Sequence, residues 1–218
     1  MALPSEFIYL WMQGAATDLI ANKDYLTSLD AAIGDGDHGI NMARGAQAIA
    51  AIDRKDYTSE QGFDAGSYLK KVGMILVSHV GGASGPLYGT FFLRMGATIG
   101  PHPIDLPLFA KAVLAGVAGL KARGKAEYAQ KTMVDVWEPV SRCVAEAADR
   151  APGEGISVLE DALAAAVSVA RKEAEATVDR IATKGRASYL GERSRGTMDP
   201  GAASSMIIIN AVYRASKG

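Results

Sequence analysis

Apolar residues recur along most of this chain at intervals of three and four, the spacing of a helix with one buried side. In Ser5–Ala21, the residues Phe7, Leu10, Trp11, Ala15 and Leu19 fall on one such stripe. The same spacing predicts helices over Lys23–Asp30, Gly39–Ile52, Glu60–Val80, Leu87–Ile99, Leu106–Arg123, Trp137–Arg150, Ser157–Thr183 and Gly201–Ser216. The breaks between them, Gly34–Gly39, Gly81–Pro86, Gly100–Pro107, Pro152–Gly155 and Gly191–Pro200, carry the Gly, Pro and Asp that stop and start helices. No repeat with a period of roughly 20 to 50 residues is visible, and no low-complexity linker divides the chain. Residues 1–218 are therefore expected to form one all-α domain, a bundle of eight or so antiparallel amphipathic helices.

Composition supports this expectation. The chain is rich in alanine and only 7% aromatic, and alanine loses no side-chain entropy in a helix. Lys plus Arg number 23 against 24 Asp plus Glu, so no basic excess drives binding to a nucleic-acid backbone, and none is expected. Apolar runs such as Val113–Leu120 and Ser205–Val212 fall well short of the roughly 18 residues of a membrane span. The segment Met-Ala-Leu-Pro-Ser-Glu lacks the basic start of a secretory leader, and the single cysteine, Cys143, cannot form an internal disulfide. A soluble cytoplasmic protein is the expectation.

The most polar, glycine-dense segments lie between helices, and the chemistry concentrates there. Asp30, Asp35 and Asp37 fall within eight residues. Three crowded carboxylates repel one another unless a cation neutralises them, and an oxygen-only set suits a hard ion such as Mg²⁺ or Ca²⁺. An EF-hand is excluded: counted from Asp35, position five is Gly39 and position twelve is Ala46. Mg²⁺ commonly shares its shell with phosphate oxygens, so the cluster suggests a Mg-nucleotide or Mg-phosphate site. The alternative is that Asp35 and Asp37 only cap the following helix; capping explains one aspartate, not three.

Gly81–Pro86 offers unhindered N–H groups and the Ser84 hydroxyl, the ingredients of an anion nest, although an ordinary glycine-rich turn looks the same. It is not a Walker A loop, since no Gly-Lys-Ser/Thr occurs in the chain. The third segment carries Arg186, Arg193 and Arg195 and ends at Asp199-Pro200-Gly201. An arginine beside a metal-phosphate site can stabilise a transferring phosphoryl group; for Arg193 or Arg195 alone a solvated loop is the simpler reading. His38 adjoins the aspartates and is read as facing a phosphate, His79 and His102 as incidental, Cys143 as a buried small side chain, and Met133 as a candidate for an adenine face.

Taken in order, Asp30-x4-Asp35-Gly36-Asp37-His38-Gly39, Gly81-Gly82-Ala83-Ser84-Gly85-Pro86-Leu87-Tyr88-Gly89, Lys131-Thr132-Met133-x-Asp135 and Gly185–Arg193 through Asp199-Pro200-Gly201 resemble the nucleotide-binding L subunit of dihydroxyacetone kinase. The resemblance runs from about residue 5 to the carboxyl end. It implies a closed barrel of eight antiparallel helices with the nucleotide, ADP or ATP, at one end. It implies that Asp30, Asp35 and Asp37 hold two Mg²⁺ ions, and that His38, Asn41, Ala83 and Ser84 contact the phosphates. Gly124, Met133, Arg186 and the Asp199-Pro200-Gly201 corner would line the rest of the pocket. A separate K subunit would carry dihydroxyacetone, and a phosphohistidine M subunit fed from phosphoenolpyruvate, or exchangeable ATP, would be the donor. Two alternatives remain at this point: an ATP-dependent kinase subunit for another ketose or tetrose such as erythrulose, and a nucleotide-sensing regulator that binds a transcription factor.

Overall fold

The computed structural model describes residues 4, 6–150 and 156–217. Among them are nine α-helices: α1 (Phe7–Ala21), α2 (Lys23–Ile33), α3 (His38–Ala50), α4 (Ala65–His79), α5 (Ser84–Ile99), α6 (Leu106–Gly124), α7 (Val134–Arg150), α8 (Ile156–Ala176) and α9 (Pro200–Ser216). Short 3-10 segments occupy Arg54–Tyr57 and Arg186–Ser194. The all-helical expectation therefore holds, and every expected helix has its counterpart. The expected helix start at Ser5 and the break at Pro152–Gly155 lie outside the described residues.

α2 runs three residues beyond its expected end, to Ile33, and α5 begins three residues before its expected start, at Ser84; three further boundaries differ for a local reason. The helix expected from Glu60 begins only at Ala65, because Thr58–Ser59 (β1) and Gly62–Phe63 (β2) pair antiparallel as a minimal ribbon. Asp64 then supplies the helix start, its carboxylate accepting the Ser67 N–H at 2.8 Å. The helix expected to run to Thr183 stops at Ala176, where the Thr177 hydroxyl turns back to the Ala174 carbonyl at 2.6 Å. α7 begins one turn earlier than its apolar stripe, at Val134, because Thr132 and Asp135 form a start signal of their own.

Packed neighbours run α1–α3–α4–α5–α6–α7–α8–α9, and α9 returns to α1, while α2 lies against α3 and α9. The interior holds the large apolar side chains: Trp11 packs edge-on to Phe92 and Phe109, and Phe91 lies 4.2 Å from Trp137 between ring centroids. α4 and α5, antiparallel, approach closely at Gly73. A Cβ there would stand 2.8 Å from the Gly89 carbonyl oxygen and 2.9 Å from the Leu93 nitrogen, so only glycine permits this spacing. No helix among the described residues is long and apolar enough to cross a membrane.

Candidate functional site

Every second connection of the fold runs to the same place. The loops α2–α3, α4–α5, α6–α7 and α8–α9 together line one open cleft of about 180 Å³, which takes in Asp30, Asp37, Ala83, Met133, Arg186 and Asp199 among others. The intervening connections, Ala51–Asp64 and Gly100–Asp105, take no part in it. Three of these loops enter α3, α5 and α9 and so turn the N-terminus of each, the positive end of its dipole, toward the cleft. α4, α6 and α9 are each capped by their own aspartate, Asp64, Asp105 and Asp199. α5 is not: Ala83 stands at its N-cap and no side chain caps it, so its first-turn amides remain available to an anion.

Asp30, Asp35 and Asp37 bring one carboxylate oxygen each to within 4.8 Å of one another. Asp30 is buried and organises the turn: one of its oxygens accepts the N–H groups of Asp37 at 2.9 Å and His38 at 3.1 Å, capping α3 from the end of the preceding helix. The turn passes so close to this carboxylate that a Cβ on Gly34 would lie 2.0 Å from it. The sequence reading of Asp35 and Asp37 as caps is corrected here: Asp37 stands at the N-cap of α3 without a side-chain hydrogen bond, and Asp30 accepts the amides instead. Three hard oxygen donors converging at the mouth of a phosphate-sized cleft fit a Mg²⁺ site. Arg186 meets this cluster directly, its guanidinium 3.0 Å from a carboxylate oxygen of Asp35, with 69% of its side chain exposed. An ion pair this open contributes little stability and is readily exchanged.

His38 lines the cleft but is buried, and both ring nitrogens are engaged: one lies 3.1 Å from the Ser84 hydroxyl, the other 2.9 Å from that of Ser204. Burial pushes its pKa down, against the opposing pull of Asp30 and Asp37. A neutral imidazole donates at one nitrogen and accepts at the other, and a hydroxyl can satisfy either. The chain of contacts continues inward from Ser204 to the Tyr88 hydroxyl and on to Ser205, both at 2.8 Å. Asn41 also lines the cleft, its side-chain oxygen accepting from Arg44 at 2.5 Å. Asp199 accepts the Ala202 N–H at 2.7 Å; burial, reinforced by Asp135 and Asp30, pushes its pKa up to about 7 against the pull of that N–H and of Lys131.

Beside the polar cleft and continuous with it through Ala83, Leu87, Thr132 and Met133 lies a second recess of about 390 Å³. Its wall is mainly apolar, with Leu87, Leu120, Ala126 and Met133, and Gly124 sits here rather than beside the aspartates. The two compartments together can take a molecule with a charged end and a flat apolar end. The ring of His79, expected to be incidental, lies 3.1 Å from the Ile75 carbonyl of its own helix, and its backbone carbonyl accepts from Arg44 at 2.6 Å.

Sequence reasoning named Lys131 and Asp135 only within a motif and gave neither a role, and it did not name Arg180. Lys131 is 1% exposed, and its ammonium donates to backbone carbonyls of the α8–α9 connection. Burial lowers its pKa, with Asp199, Asp179 and Asp135 opposing. Asp135 is fully buried, accepts the Thr132 N–H at 2.7 Å and pairs with Arg180 at 2.5 Å, and Arg180 lies over the Tyr128 ring. The Thr132-x-x-Asp135 spacing, a capping-box signature, was the readable sign of this clasp.

An all-helical domain that presents three helix N-termini, a carboxylate triad and an arginine to one cleft defines a class of protein that takes a divalent cation together with a polyanion. Its family is shown by comparison: residues 32–214 match the family model of the DAK2 domain, and the chain belongs to that family. It is 41% identical over 98% of both chains to the ADP-binding subunit DhaL of PEP-dependent dihydroxyacetone kinase 1 of Listeria innocua. It is also 41% identical, over the full length of both, to the corresponding DhaL subunit of Escherichia coli. The solved dihydroxyacetone kinase of C. freundii in complex with AMP-PNP and Mg²⁺ superposes with a TM-score of 0.67 at 23% identity, over 98% of this chain and 34% of that one, and shares the fold.

Proposed function

We propose that this chain is the nucleotide-holding subunit of a dihydroxyacetone kinase. In this reading it binds ADP or ATP with Mg²⁺ and passes a phosphoryl group to dihydroxyacetone carried on a separate K-type subunit. A phosphohistidine M-type subunit, charged from phosphoenolpyruvate, restores the nucleotide. The observation that carries the reading is the joining of a carboxylate triad and an uncapped helix start in one cleft, in a chain alike over its whole length to ADP-binding subunits.

Asp30, Asp35 and Asp37 would hold the cation, two ions in all, and bound Mg²⁺ would supply positive charge that neutralises and polarises phosphate oxygens. The remaining work falls to the chain itself. First-turn amides of α5 and the Ser84 hydroxyl bind phosphate oxygens, and His38, engaged at both nitrogens, fixes the direction of that hydroxyl. Asn41, Ala83 and the Asp199-Pro200-Gly201 corner close the polar compartment, and Gly124 and Met133 line the recess for the base. Arg186 leaves its exposed pair with Asp35 to meet charge on the migrating phosphoryl group. A base for the acceptor hydroxyl would come from the partner.

Calorimetric titration with Mg-ADP tests the site. Asp35→Asn and Asp37→Asn should each weaken binding at least tenfold with the helical circular dichroism unchanged. Unchanged affinity in both variants would refute the assignment. Arg186→Ala should lower turnover with the K-type partner more than it lowers nucleotide affinity.

A further inference from the structure

We infer that Lys131 is a positioning residue whose ammonium holds the loop that delivers Arg186 and Asp199 to the cleft, an inference that rests on the nucleotide-binding reading above. The α8–α9 connection leaves the helical frame at Thr177 and returns at Asp199, carrying the 3-10 segment Arg186–Ser194 at its tip. Lys131, from a different connection, reaches the base of this excursion. Its Nζ donates to the carbonyls of Thr177 and Ser194 at 2.7 Å and of Thr197 at 2.8 Å, with Arg180 at 3.2 Å and Val178 at 3.5 Å more distant.

An ammonium has three protons, and the three short bonds use them all. Thr177 belongs to the outgoing stem, Ser194 and Thr197 to the returning one, so one cation fastens the two stems together. Five carbonyl oxygens aimed at a common point repel one another, and a charged donor at that point removes the conflict. The chain accepts a local cost for this: Lys131 has φ 59°, and Lys125 and Ala129 in the same connection have φ 48° and 68°, a left-handed conformation uncommon outside glycine.

The loop's other ties do not fix the arginine as firmly. Three further rungs join the stems: Gly196 N–H to the Val178 carbonyl and Ala182 N–H to the Ser194 hydroxyl, both at 2.9 Å, and Asp199 N–H to the Thr177 hydroxyl at 3.0 Å, while Arg180 ties the outgoing stem to Asp135 and Glu173. At the tip, Ala187 and Leu190 rest on Ile33 in a small apolar cluster, and Arg186 itself has the exposed pair with Asp35. The position of Arg186 therefore depends on where the stems are held, and Asp199 follows Thr197 by two residues.

The test is Lys131→Met, which keeps the aliphatic stem and removes the ammonium. In nucleotide-free protein, amides of residues 178–197 should exchange with deuterium at least tenfold faster while those of α4 and α5 are unchanged. A positioning role also predicts coupling: Arg186→Ala should weaken Mg-ADP binding in the parent chain, yet weaken it less than twofold further in the Lys131→Met background. Unchanged exchange in 178–197, or losses that multiply independently, would overturn the inference. Lys131→Gln, which keeps two N–H donors, is the second variant should Lys131→Met fail to fold, with an intermediate effect expected on both readouts and the same overturning results. If the parent chain does not bind Mg-ADP, the nucleotide reading falls, and the exchange measurement still decides whether Lys131 holds the loop.

Discussion

At the scale of single residues, burial sets the chemistry of Asp199. Its folded pKa, raised to about 7 chiefly by burial, exceeds the ordinary 3.8, so the folded state binds a proton that the unfolded state has already released between those values. The stability contributed by that proton is complete below about pH 4 and is lost as pH rises through 7. Asp199→Asn retains an oxygen to cap α9 and carries no charge. Denaturant unfolding of the metal-free and nucleotide-free protein should therefore show the parent losing stability relative to Asp199→Asn between about pH 4 and 7, with a ceiling of about 4 kcal/mol at 1.36 kcal/mol per pH unit. A constant difference across that range would mean that the carboxylate is ionised throughout. The aspartate triad was legible in the sequence because its members are neighbours in the chain. The burial of Asp199, the engagement of both His38 nitrogens and the Lys131 clasp were not, since their partners lie 46 to 166 residues away and only the fold joins them.

Among the elements, every helix was legible as an element, with ends displaced by up to seven residues, because each buries one stripe and three-and-four spacing records it directly. What the pattern could not register was the stop of α8 at Ala176, where a buried hydroxyl and the Lys131 cation draw the chain away while apolar spacing continues. Nor could it register the ribbon before α4, whose residues lie on no stripe. Close helix contact adds a requirement for smallness. At Gly73 a methyl group would meet the Leu93 Cγ at 2.7 Å and two backbone atoms of α5 at 2.8 and 2.9 Å, so turning the Leu93 side chain alone gives no relief and the helices must separate. Gly73→Ala should lower stability by about 1 to 3 kcal/mol, the usual range for overpacking, read as a fall in melting temperature of roughly 2–4 °C per kcal/mol for a chain of this size. No change would mean that α4 and α5 slide apart without cost.

For the molecule as a whole, the cleft draws on four connections from four different helix pairs, so a ligand seated there touches most of the fold at once. Binding restricted to the folded state stabilises it by mass action, about 2.7 kcal/mol at one hundred times the dissociation constant. Mg-ADP at that concentration should raise the melting temperature by roughly 5–10 °C, and EDTA should abolish most of the rise. A full shift in EDTA would separate nucleotide binding from the aspartate triad. The alternation of connections has one more consequence, for change over generations. The turns at 34–37 and 80–83 must keep their lengths, because each hands a helix start to the cleft, whereas Ala51–Asp64 and Gly100–Asp105 contribute nothing to its lining. Insertions and deletions are free to collect at that quiet end, so that the molecule can lengthen, acquire new surface and diverge in outline while the chemistry at the other end stays as it is.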